Sequence, residues 1–97
     1  MLRTANWTLP TTYSDGSAID PADQAQIVTH IVMDGVEVGT SAPGATSWTG
    51  DLPMNYGGTY LFSVHATLNG QTSISTPEVS FTVPFRVPNP PTGLSIS

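Results

Sequence analysis

The chain has 97 residues, with only Arg3 and Arg86 as firm cations against seven acidic side chains, a formal net charge of −5, and neither lysine nor cysteine. A nucleic-acid backbone binder displaces counterions with a basic patch, which two arginines cannot build, and without cysteine no disulfide or cysteine metal site can staple the fold. The length gives one domain with a modest core and is too short for two, so stability must come from packing.

Short runs of alternating apolar and polar residues, punctuated by Pro, Gly, Asn and Asp, carry the period of β-strands. The first run is Arg3 to Leu9, with Ala5, Trp7 and Leu9 on one face and Pro10 as its stop. The loop that follows contains "DPAD", where Asp20 is an expected N-cap and Pro21 the first residue of a single helical turn. Gln26 to Met33 is the second strand. Its "MDGV" exit is a tight hairpin turn, because Asp-Gly accepts positive φ, so Glu37 to Thr40 should pair back.

Ala45 to Thr49 gives a weaker strand signal before a Pro/Asn/Gly corner. Thr59 to Thr67 is the clearest strand, with Tyr60, Phe62, Val64 and Ala66 on one face and Leu61, Ser63, His65 and Thr67 on the other. Asn69-Gly70 marks another turn, and Val79, Phe81 and Val83 share a face of the last strand. No segment reaches the roughly 20 apolar residues needed to cross a membrane. Met1 to Asn6 lacks the apolar run of a signal peptide, so synthesis in the cytoplasm is expected.

These strands resemble a fibronectin type III domain. "NWTLPTTYSDGSAI" is similar to the second strand of that family, with Trp7, Pro10 and an Asp-Gly loop. "DLPMNYGGTYLFSVHA" resembles its tyrosine corner, formed by Leu52 and Tyr60. The resemblance covers about Ala5 to Val83 and implies an all-β, immunoglobulin-like two-sheet antiparallel sandwich over residues 1–84, with Trp7, Leu52, Tyr60, Phe62, Val64 and Phe81 in the core. Residues 85–97 form a proline-rich arm with a short C-terminal strand.

One departure concerns that arm. The family opens with an edge strand introduced by a segment like "PNPPTGLS", ahead of the tryptophan strand, whereas here the segment follows the last strand. The arm, with Pro90, Pro91, Leu94 and Ile96, has three expected fates: return to its own body, strand addition to a second copy or another protein, or a free extended tail. An uncovered sheet edge favours the first two, and docking between identical subunits implies a symmetric homo-oligomer.

Candidate chemistry is sparse. By the fibronectin-like register His30 is expected to face the core as a packing residue, and His65 to be exposed. Asp15, Asp20 and Asp23 crowd one loop, but their spacing is not that of an EF-hand, and a turn and an N-cap account for two of them. No "G-x-S-x-G" elbow or "RGD" occurs, so no enzyme, metal or cofactor is expected. Trp48, Met54 and Tyr56 are read two ways, as an exposed partner-binding cluster or with Trp48 packed beside Leu52.

Small cysteine-free chains of this type, with Thr/Ser/Gly-rich surfaces, resemble accessory or decoration proteins on the capsid, neck or tail of tailed bacteriophages. That resemblance implies a non-enzymatic virion protein that binds other virion proteins or copies of itself, without nucleic-acid or membrane partners. The alternative is a fibronectin type III spacer or weak carbohydrate-binding module of a bacterial surface or secreted protein.

Overall fold

The computed structural model describes residues 1–97 and is mostly β, with every strand pair antiparallel. Strand β1 (Leu2–Asn6) pairs with β4 (Ser47–Asp51) as a two-stranded sheet. In the larger sheet β5 (Thr59–Leu68) is central. It pairs on one side with β2 (Val28–Met33), which in turn pairs with β3 (Val36–Thr40), and on the other with β6 (Gln71–Thr72) and β7 (Val79–Thr82).

The expected turns form where the residues permit positive φ. Asp34 (φ 50°) and Gly35 (φ 81°) join β2 to β3, and Asn69 (φ 52°) and Gly70 (φ 79°) join β5 to β6. Both pairs have the φ signs of the two-residue turn whose twist matches flanking strands. The helical turn is α1 (Pro21–Gln24), with Pro21 where its missing N–H is harmless. Asp20 precedes it in extended backbone, but its side chain makes no capping bond.

Strand β6 is two residues long, too short to carry a strand period in the sequence. Between it and β7 the ladder along β5 is kept up by hydroxyls. Ser73 Oγ accepts from Ala66 N–H at 2.9 Å, and Thr76 Oγ1 accepts from Val64 N–H at 3.1 Å.

A hydrophobic cluster of Met33, Leu52, Met54 and Val83 draws on both sheets, with Trp48, Tyr60, Phe62, Val38 and Met1 packed against it. The Trp48 ring lies over two glycines. A Cβ on Gly39 or Gly50 would sit 2.3 Å from ring carbons, so only the absence of a side chain lets the indole approach. Ile27, Thr29 and Ile31 are buried further along β2 and just before it. Thr29 is satisfied there, its N–H donating to Ser41 Oγ at 2.9 Å.

The radius of gyration is 19.5 Å and the longest dimension 77 Å, against 23 and 21 Å across. A compact chain of this length has a radius near 13 Å. The excess is the arm: residues 84–97 are exposed throughout and form no secondary structure, including the short strand expected at its end. Its backbone pairs with neither sheet.

Candidate functional site

Three features stand out: an open apolar groove, the arm, and a polar cluster on the outer face of the larger sheet. The groove, about 420 Å³, runs between β1 and β7. Ala5 and Trp7 line it from one side, Phe62 and Val64 from its floor, and Val79 and Phe81 from the other side. These are mainly the residues expected to be enclosed. Instead Trp7, Phe62 and Val64 are half-buried, while Phe81 is 37% and Val79 66% exposed. The cause is the free edge of β1, which has β4 as its only neighbour.

That edge has a definite polarity. Leu52 N–H donates to Met1 C=O and Trp7 N–H to Thr46 C=O, so Met1 and Trp7 direct their backbone groups toward β4. Antiparallel alternation then turns the N–H and C=O groups of Leu2, Thr4 and Asn6 outward, unpaired. Within the groove the Arg3 guanidinium lies 5.1 Å from the centroid of the Phe81 ring, and its Nε is buried with no acceptor. An always-charged donor left unpaired is costly.

The root of the arm is held and its end is free. The Phe85 ring lies against Gly57, where a Cβ would sit 2.3 Å from it, and Arg86 stands 5.7 Å from the centroid of the exposed Tyr56 ring. Beyond, Pro90 and Pro91 are exposed, and Leu94 and Ile96 are each 89% exposed. Of Trp48, Met54 and Tyr56, only Tyr56 is on the surface, and for Trp48 the packed alternative holds. Trp48 packs against the core cluster from β4, and Met54, in the β4–β5 connection, is buried within that cluster. The tyrosine corner is present: Asn55 N–H donates to Tyr60 Oη at 2.7 Å.

His30 faces away from the core, contrary to expectation. Burial along β2 alternates with Thr29, Ile31 and Met33 inside and His30 on the opposite face. Both faces of this strand are apolar in sequence, so periodicity could not assign them. His30 pairs directly with His65 of β5, and their rings stack with centroids 4.8 Å apart and planes 6° from parallel. Glu37 joins them through a bulge. Ile31 pairs with Gly39 but Val32 with Glu37, so one extra residue of β3 moves Glu37 to the outer face while Gly39 stays under Trp48.

The nitrogen and oxygen ligand atoms of His30, Glu37 and His65 all lie within 4.8 Å of one another. His30 Nε2 is 3.0 Å from Thr67 Oγ1. The Asp-rich loop is arranged differently. Asp15 accepts from Ser17 N–H at 2.9 Å and Ser17 Oγ at 2.6 Å, and these bonds hold its carboxyl below the usual range. Tyr13 Oη lies 3.5 Å from Asp23, and desolvation, then the charge of Asp23, raises its phenol above the ordinary value.

The fold defines an antiparallel β protein with an extended arm. No family model, curated protein or solved structure matches the chain.

Proposed function

We propose that the chain is a non-enzymatic assembly module of the fibronectin type III kind, in which the arm of one copy completes the open edge of the next. The observation that carries this reading is the coincidence of an unpaired β1 edge beside an apolar groove with an arm whose apolar pair, Leu94 and Ile96, is uncovered. The pairing of β1 with β4, and of β2 with β5 and β5 with β7, supports the family: it is the pairing expected among the later strands of such a sandwich.

Direction favours a second copy over return to the same body. Val83, just past β7, donates its N–H to Gly58 and shares its cluster with Met1, and Phe81 lies against Arg3, so the arm departs near the Met1 end of β1. A strand antiparallel to β1 must enter from the Trp7 end. Pro84, Pro88, Pro90 and Pro91 hold the intervening chain extended and resist the reversal that a return would need. A neighbour's arm enters without reversal. Leu94 and Ile96 then fill the groove, Ser95 faces solvent, and the incoming backbone offers acceptors to Arg3 Nε and to the N–H groups of Leu2, Thr4 and Asn6.

Such a contact is heterologous, so it generates a ring if the rotation closes and an open row if it does not. A repeating row of small acidic modules suits an accessory protein on the virion of a tailed bacteriophage, and that is the role we assign. Light scattering is the test. The full chain should show a mass that grows with concentration, and the Leu94→Asp variant should remain monomeric. A full chain that is monomeric up to millimolar concentration overturns head-to-tail assembly, and absence from purified particles overturns the virion role.

A further inference from the structure

We propose that His30, His65 and Glu37 form a binding site for a divalent transition-metal ion, with zinc the best-suited occupant. Two imidazoles and a carboxylate are a donor set that zinc accepts, with three protein ligands and a remaining position open to water or to a fourth ligand. Tetrahedral coordination at zinc–nitrogen and zinc–oxygen distances of about 2.1 Å places donor atoms about 3.4 Å apart. Glu37 Oε1 lies 2.5 Å from His30 Nδ1 and 3.9 Å from His65 Nε2, values on either side of that separation.

The contact between His30 and Glu37 is itself informative. Nδ1 of His30 is buried and has no hydrogen-bond partner although Glu37 Oε1 is 2.5 Å away, so the oxygen approaches off the N–H direction. A cation that holds the two atoms about 3.4 Å apart satisfies both where a misaligned N–H cannot. Thr67 Oγ1, 3.0 Å from the other nitrogen of His30, is placed to accept its N–H and leave Nδ1 free to ligate, the usual outer support of a metal-bound imidazole.

The scaffold is rigid where it matters. His30 and His65 are directly paired on adjacent strands, and the bulge fixes Glu37 beside them. Side-chain exposures of 18% for His30, 22% for His65 and 48% for Glu37 leave an entry path from solvent. Parallel rings cannot aim two in-plane lone pairs at one point. Uptake of the ion therefore turns at least one imidazole out of the stack, which gives the site a signature independent of affinity.

Titration of the full chain with zinc chloride, followed by calorimetry and by NMR of the imidazole protons, tests the site. The expected result is one ion per chain, bound in the micromolar range, with both histidine ring resonances shifting together. His65→Asn and Glu37→Gln should each weaken binding at least tenfold. Both positions lie on the outer face, and an unchanged far-UV spectrum without metal would show the fold intact. No saturable uptake, or uptake undiminished in the double variant and hence owed to the acidic surface, overturns the proposal.

Discussion

The body holds two sets of apolar side chains with different fates. Around the corner, Leu52 and Val83 are 3% and 0% exposed, while along the flank Val79 and Phe81 are 66% and 37% exposed. Val79, Phe81 and Val83 occupy alternate positions of one segment and so share a face. The enclosed residue has the corner over it, whereas the open ones face the place beside β1 where no strand lies. A hydrophobic pattern thus prescribes a core without saying that the same copy must supply all of it.

Truncation sharpens that contrast. Leu52→Ala removes a buried side chain from the cluster and should cost about 2–5 kcal/mol in urea unfolding. Phe81→Ala, at a half-open position, should cost roughly 1 kcal/mol in the isolated chain, nearer the behaviour of surface sites. Its larger effect should fall on the proposed assembly, in which Leu94 and Ile96 of a second copy would lie against the ring. Equal losses at the two sites in the monomer would mean that the flank is already closed.

The smallest effect concerns the loop. Asp15 titrates below the ordinary carboxylate range because Ser17 bonds to it. The stability it contributes is therefore complete above that range and is lost as pH falls through the lowered value. Ser17→Ala should move the Asp15 titration upward in NMR and flatten the acid side of the stability profile, leaving the groove untouched. An unmoved Asp15 resonance would contradict the assignment.

Much of this architecture was legible in the residues. Asp34-Gly35 and Asn69-Gly70 announced their turns because few other pairs accept their backbone angles, and Leu52 with Tyr60 announced the corner. Which apolar residues stay open was not legible, because Phe81 and Val83 have the same pattern and differ only in what covers them. The His30 cluster was hidden for two reasons. Strand β2 is apolar on both faces, and its pairing with β5 joins residues 35 apart at His30 and His65, a register that no local signal sets. The bulge that brings in Glu37 likewise has no mark in the sequence beyond Gly39.

The most direct test of the central claim is to titrate a peptide of residues 87–97 into the chain lacking them. That deletion removes no packing, because those residues are exposed. Saturable one-to-one binding, with amide shifts at Leu2, Thr4 and Asn6 and weakening by Leu94→Asp, is the predicted result. A peptide that binds nowhere along β1, or binds equally well with aspartate at position 94, would contradict the account.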